Sequence, residues 1–391
     1  MLRTGTFPKY HIRSEIGVIN MRVSDAKLMV YDLPLNATYK NSLAAKVRQK
    51  SVVLMLSTED GQVGISSIEP DTPNYSEETW YEIQEIVNRE FFPLLMSGDT
   101  LEIPSFCEKM NERVYGHLMS KSLVETALYD LKAKSQNVSV SRVLGQTIDR
   151  PIPLIGWVGI GSKDKRLQET RSWLDAGFKC IKYKISRDMD DFPDLISEAR
   201  KQFGYGFRIR IDANQGLTEN LANNLIGRIE KFEISLLEQP LEREDIQGMA
   251  SITKKSGIPI MADESAFSFN AVKNLIREGA CNIVKIKVMR SGGITEAGKI
   301  ASFAESNGIR CVIGNGFSTS LGTSIEANFY MGTPTSWKYP DMQYAEFVGP
   351  LKLKEDIVRN RIQIQNGSLI PRPGPGFGYS NEELRGTGEF I

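Results

Sequence analysis

From Pro151 onward, short apolar runs alternate with longer amphipathic stretches, and this rhythm limits the fold more than any other feature of the chain. The runs IPLIGWVGI, FKCIKYK, RIRID, ISLLE, IPIMA, NIVKIK, RCVIG and MQYAE read as eight strands with helices between them. Repeated strand-helix units force parallel pairing with right-handed crossovers, and eight of them close into a barrel. No G-x-G-x-x-G or P-loop opens the first unit, which weighs against a nucleotide fold. At 391 residues the chain has room for a barrel of roughly 250 residues and a second domain.

That second domain comes first. Between about Asn20 and Ile68 the side chains alternate as in strands, Asp60-Gly61 marks a hairpin turn, and a loop near residues 32 to 48 is expected to join two extended segments. Residues 76 to 96 and 117 to 135 carry helical spacing, as in Leu123, Ala127, Leu128 and Leu131. Strands followed by helices predict an α+β domain over 1–150, then the barrel over 151–350. A Pro- and Gly-rich segment over 351–391 is expected to return to the N-terminal domain. The expected fold is therefore α/β: a modified TIM barrel, (β/α)7-8, with an N-terminal α+β capping domain completed by the C-terminal segment.

The 48 basic and 48 acidic residues cancel, so no basic footprint points to nucleic acid and no polybasic run to a membrane surface. A small-molecule partner is expected. Cys107, Cys180, Cys281 and Cys311 form no C-x-x-C pair, which argues against a disulfide framework or zinc knuckle and for a reducing cytoplasm. The first residues, MLRTGTFPKYHIRSE, lack the apolar core of a signal peptide. His11 and His117 are the only histidines and both precede the barrel, so acid-base chemistry there falls to Lys, Asp, Glu or Tyr.

Barrel active sites lie at the C-terminal ends of the strands. Here those ends read Lys182-Tyr183-Lys184, Asp212-Ala213-Asn214, Glu238-Gln239-Pro240, Asp263-Glu264-Ser265 and Lys285-Ile286-Lys287. The intervals from Lys184 to Asp212, Glu238, Asp263 and Lys287 are 28, 26, 25 and 24 residues, each about one βα unit. A lone Asp or Lys at such a place is more often a helix cap or a surface ion pair. Five consecutive strands ending in titratable groups at unit spacing are not what capping produces. Three converging carboxylates repel one another, which a cation resolves, and an all-oxygen set favours Mg²⁺, with Mn²⁺ as the alternative.

At these positions the chain resembles the enolase superfamily, and within it the muconate lactonizing enzyme subgroup of the mandelate racemase/muconate lactonizing enzyme family. The matching stretches are K-x-K at Lys182 to Lys184, DANQ at Asp212 to Gln215, LEQP at Leu237 to Pro240, ADES at Ala262 to Ser265 and KVMRSGGI at Lys287 to Ile294. ETALYDLKAK at 125 to 134 and the late GPGFG look like further family features. The resemblance implies that Asp212, Glu238 and Asp263 bind the metal and that Lys184 and Lys287 sit on opposite faces of the substrate. It further implies that Lys182 holds the substrate carboxylate, with Asn214 and Glu264 supporting the metal ligands. The mandelate racemase subgroup uses a His at the end of the seventh strand, where this chain has Gly314-Asn315-Gly316.

The chemistry so implied is removal of the proton α to a carboxylate, giving an enediolate whose charge a divalent cation and an ammonium stabilise. An isomerase is expected, either a racemase or epimerase of an amino-acid derivative or a cycloisomerase. The alternatives are a lyase that dehydrates a β-hydroxy acid and a catalytically silent binding barrel. By resemblance, the loop at Asn36 to Asn41 and the segment Pro70 to Tyr75 close over the substrate. Tyr39, Lys40, Phe317, Ser318, Thr319 and Glu346 are the candidates to touch it. The family's dipeptide epimerases carry Asp-x-Asp at the end of the eighth strand, and Ala345-Glu346-Phe347 here lacks it. A homo-oligomer is expected.

Overall fold

The computed structural model describes residues 22–40, 45–70, 77–97, 102–145, 150–185, 191–333 and 343–391. The capping unit is built on three antiparallel strands, β1 (Val23–Lys40), β2 (Ala45–Thr58) and β3 (Val63–Ile68). The Asp60-Gly61 turn joins β2 to β3, with Gly61 at φ 84°. The loop expected near 32 to 48 is largely ladder instead: Asp32↔Lys50, Leu33↔Gln49 and Pro34↔Arg48 are paired, and after a register shift so are Tyr39↔Lys46. The polar alternation of this arm marks a two-sided ribbon rather than a turn. Asn41 and Asp71 to Tyr75 lie outside the described residues.

Behind the sheet runs the helix Leu118–Ser135, buried along most of its length. Asp130 on it accepts from the backbone N–H of Ile65 at 2.8 Å and of Phe377 at 2.7 Å, tying sheet and C-terminal segment together. The stretch 76–96 read as one helix is broken in the structure. It comprises Trp80–Ile86, a π-helical turn over Val87–Phe91 and Phe92–Met96. Pro93, which has no N–H to give the ladder, is the second residue of the last piece.

Glu125, on the same buried helix, accepts from the backbone N–H of Thr295 in the barrel at 3.0 Å. Burial pushes its carboxyl up to about 7 from the ordinary 4.5, with the Thr295 bonds opposing. A carboxyl whose pKa is higher in the folded chain binds more protons there, so stability falls as pH rises from about 4.5 to about 7. The loss is of order 3 kcal/mol. Glu125→Gln keeps the acceptor and is expected to flatten this slope. Urea melts at pH 5 and pH 8 measure it, and an undiminished slope would place its origin elsewhere.

The barrel follows. β4 (Ile152–Pro153) leaves the barrel to pair antiparallel with β13 (Ser368–Ile370), which also pairs with β12 (Gln363–Gln365). Seven parallel strands stand in sequence order: β5 (Gly156–Val158), β6 (Cys180–Lys184), β7 (Arg208–Asp212), β8 (Ile234–Glu238), β9 (Ile260–Ala262), β10 (Ile283–Ile286) and β11 (Arg310–Ile313). The first predicted strand is thus split between two sheets. The eighth is reduced to single bridges, Leu154↔Ala345 on one side and Gly314↔Glu346 on the other, which close the ring.

β14 (Glu389–Phe390) pairs with β1, so the end of the chain returns to the capping sheet. Asp356 in the returning segment accepts from Ser320 Oγ at 2.6 Å and from its N–H, capping the barrel helix Ser320–Gly332. Among the described residues no helix is long and apolar enough to cross a membrane.

Candidate active site

Parallel register sets the strand ends side by side. Lys184 pairs with Asp212 across β6 and β7, and Asp212 with Glu238 across β7 and β8. Asp263 follows the last residue of β9, and Lys287 follows β10. Side chains two apart on a strand share a face, so Lys182 lies beneath Lys184 and Lys285 beneath Lys287 on the inner wall.

The turns that leave the strands fix these side chains. Asn214 and Gln239 hold φ of 40° and 35°, so the chain swings away immediately after Asp212 and Glu238. Gln239 Oε1 accepts from the N–H of Asp263 at 3.0 Å and of Ser265 at 3.1 Å, while its Nε2 donates to Ser265 Oγ at 2.8 Å. One amide therefore aligns the ends of β8 and β9. Asn214 donates to Glu264 Oε1 at 3.0 Å and accepts from Lys184 Nζ at 2.6 Å, joining β7, β9 and the lysine.

The charged groups form one buried network. Lys184 Nζ is 2.5 Å from Asp212 Oδ2, and Lys287 Nζ is 2.7 Å from Asp263 Oδ1, with Arg290 on the same carboxylate at 2.8 Å. Lys182 reaches Glu238 at 3.1 Å and Glu346 at 2.6 Å, and Lys285 reaches them at 2.8 Å and 2.5 Å. Burial opposes the charge on Asp212, but Lys184, Lys182 and Lys285 overcome it and hold the carboxyl below its usual range. Lys184 is raised: burial works against its ammonium and Asp212 outweighs that. Lys287 is lowered, by burial and then by Arg290. Glu238 is pushed up to about 8 by burial and by the carboxylates of Asp212 and Glu346.

This donor set fits a hard divalent cation. Asp212, Glu238 and Asp263 hang from neighbouring strand ends, and the crowding that raises Glu238 is what a bound cation relieves. In the structure their oxygens turn to the lysines, and among the described residues no three acidic side chains close on a single point.

Above the network opens a cavity into which Lys182, Lys184, Asp212, Asp263, Lys287 and Glu346 project. Tyr39 and Phe317 form its outer wall, edge to face at 4.7 Å between ring centroids. Ser318 and Thr319 are placed otherwise: their hydroxyls donate to Glu69 of the capping unit at 2.5 Å and 2.9 Å, bolting the cap to the barrel. Trp157, Arg290 and Lys352 are among the cavity residues that are not sequence candidates. Trp157 is the middle residue of β5, Arg290 lies three residues past Lys287, and Lys352 ends the short helix Gly349–Lys352. Arg290 is within reach of the strand-end argument, whereas Trp157 lies inside its strand and Lys352 in a segment without strand periodicity.

The structure thus describes a barrel that gathers buried charged side chains at its strand ends beneath a capping unit. The enolase C-terminal domain-like family model matches residues 165–384, and the mandelate racemase / muconate lactonizing enzyme N-terminal domain model matches residues 25–145. An L-Ala-D/L-Glu epimerase from Francisella tularensis subsp. novicida is 29% identical over 337 residues, 84% of this chain and 94% of the epimerase. An N-succinyl-L-Arg/Lys racemase from Bacillus cereus is 26% identical over 93% of this chain and 97% of its own. The muconate lactonizing enzyme from Pseudomonas fluorescens, solved with muconolactone, superposes with a TM-score of 0.86 at 26% identity, covering 93% of this chain and 97% of that one. The chain belongs to the enolase superfamily, in its mandelate racemase/muconate lactonizing enzyme family, and it is an isomerase.

Proposed function

We propose that this isomerase moves the proton α to a substrate carboxylate, with Lys184 and Lys287 as the acid-base pair and Mg²⁺ held by Asp212, Glu238 and Asp263. The observation that carries the reading is that the two lysines enter one cavity from β6 and from the end of β10, with the three carboxylate-bearing strands between them. The lysine facing the α-hydrogen accepts it as a free amine: its N–H bond forms as the C–H bond breaks. The opposite lysine, as an ammonium, returns a proton to the other face. A metal at the carboxylates supplies Lewis-acid polarisation of the substrate carboxylate, which lowers the cost of the charge that builds there. Lys182 adds a fixed positive charge on the same side, and the cap excludes water.

Glu346 spends its charge on Lys182 and Lys285. This supports a substrate with no free ammonium at that end, an N-acylated amino acid or a related carboxylate, rather than a dipeptide. The four unpaired cysteines support action in a reducing cytoplasm.

Incubation of a panel of N-acyl amino acids with the enzyme and Mg²⁺ in D₂O is expected to replace the α-hydrogen by deuterium, followed by NMR. Excess EDTA is expected to lower the rate at least ~100-fold, with recovery on adding Mg²⁺. Net loss of water from a β-hydroxy acid would mark a dehydrating lyase instead, and exchange on no carboxylate would sink the proposal.

A further inference from the structure

One ammonium in the cavity has no carboxylate of its own. Lys352, half-buried, donates to the carbonyl oxygen of Gly316 at 3.0 Å. Its Nζ stands 5.2, 5.0 and 4.6 Å from the ring centroids of Tyr39, Trp157 and Phe317, an aromatic box on three sides. The closest acidic residue in sequence that lines the cavity, Glu346, is held by Lys182 and Lys285. Among the described residues Lys352 makes no ion pair.

Such a placement is unfavourable without a further anion. Burial, and then the like charges of Lys184 and Lys182, push the Lys352 pKa well down, and seven basic side chains against five acidic ones line the cavity. Two of the three ammonium N–H groups remain for a ligand once Gly316 is served. The rings hold the ammonium in place without neutralising it.

The position shares a wall with the reacting centre. Lys184 Nζ is 6.0 Å from the centroid of the same Tyr39 ring, on which Lys352 also rests. A substrate whose α-carbon lies by Lys184 therefore extends along Tyr39 towards Lys352.

We propose that Lys352 is a specificity-determining residue that binds a second carboxylate, so that the enzyme selects dianionic α-carboxylates such as N-succinyl amino acids over monoanionic ones. This rests on the acid-base reading above for the orientation of the substrate. Phe317 and Trp157 pack the chain between the two anionic ends, and Lys352 contributes a charge-assisted hydrogen bond at the far one.

The test compares N-succinyl-phenylalanine with the same molecule whose succinyl carboxylate is a carboxamide, in wild type, Lys352→Met and Lys352→Arg. Wild type is expected to prefer the diacid about 100-fold in kcat/KM, the worth of one charge-assisted contact. Lys352→Met is expected to erase that ratio, chiefly through KM on the diacid, and Lys352→Arg to restore most of it. Equal losses on both substrates would make Lys352 a brace for the aromatic wall and overturn the proposal, as would a wild type that does not discriminate. Calorimetric titration of glutarate against butyrate reads the same contact without turnover. Weaker glutarate binding in Lys352→Met with no α-exchange in wild type would leave the distal site standing and the acid-base reading fallen. Equal binding of the two acids by both proteins would remove the distal site.

Discussion

Replacing Lys184 or Lys287 by Ala is expected to lower racemisation at least ~10³-fold while leaving each variant able to exchange the α-proton of one enantiomer. The two lysines approach the cavity from opposite ends of the arc of carboxylates. Inversion needs both, one to take the proton and one to give it, whereas exchange with solvent needs only the lysine on the side of the hydrogen. Each variant should therefore retain exchange with a different enantiomer. Neither substitution strands a buried carboxylate: Asp212 keeps Lys182 at 3.1 Å, and Asp263 keeps Arg290 at 2.8 Å. Loss of activity with an unchanged melting temperature is thus the expected pairing. NMR of the α-hydrogen in D₂O, run on each enantiomer separately, decides the matter. If both enantiomers stop exchanging in both variants, the lysines do not serve opposite faces. If both continue, the lysines are not the acid-base pair.

The residues of this network were legible because two periods coincide. Alternation along a strand puts Lys182 with Lys184 and Lys285 with Lys287, and the length of a βα unit brings the next strand end alongside, as the pairs Lys184↔Asp212 and Asp212↔Glu238 record. What lacked a period was not legible. Lys352 follows a strand reduced to single bridges, where Gly314 lies so close that a Cβ there would meet Glu346 Cβ at 2.3 Å. Ser318 and Thr319 looked like substrate contacts because they follow the seventh strand. Their partner Glu69 is about 250 residues away in sequence, and no local pattern announces a bolt between two units. The arms at 32–40 and 45–48 carry only a short apolar stripe, Leu33 and Leu35, too brief to mark a strand among so many polar residues, and their pairing continues the register of β1 and β2.

The second half of KVMRSGGI makes a different demand from the first, and Gly293→Ala is expected to be the most destabilising single change considered. Gly293 has φ 112° and ψ −175°, a region open to glycine alone, and strain for any other residue there is roughly 1–3 kcal/mol. A Cβ would lie 1.8 Å from Glu125 Oε2 and 2.6 Å from Glu125 Cδ. The carboxylate cannot yield freely, because its other oxygen accepts the N–H of Thr295 in the first turn of the helix Ile294–Ser306. Pushing it aside deprives that donor of its partner in a half-buried site, a further ~1 kcal/mol or more. Together these come to about 2–6 kcal/mol, a large fraction of the stability of an ordinary domain, so the variant should show a strongly lowered melting temperature. Pairing it with Glu125→Ala removes the clash but not the backbone strain, so only partial recovery is expected. A loss below about 1 kcal/mol in urea melts of the single variant would show that the barrel helix and the capping helix are not packed this tightly. The close approach bears on catalysis because Lys287 and Arg290 precede Gly293 in the same turn of chain. The glycine lets the cap's buried helix press against the segment that carries Lys287, so the cap fixes that side of the cavity as well as covering it.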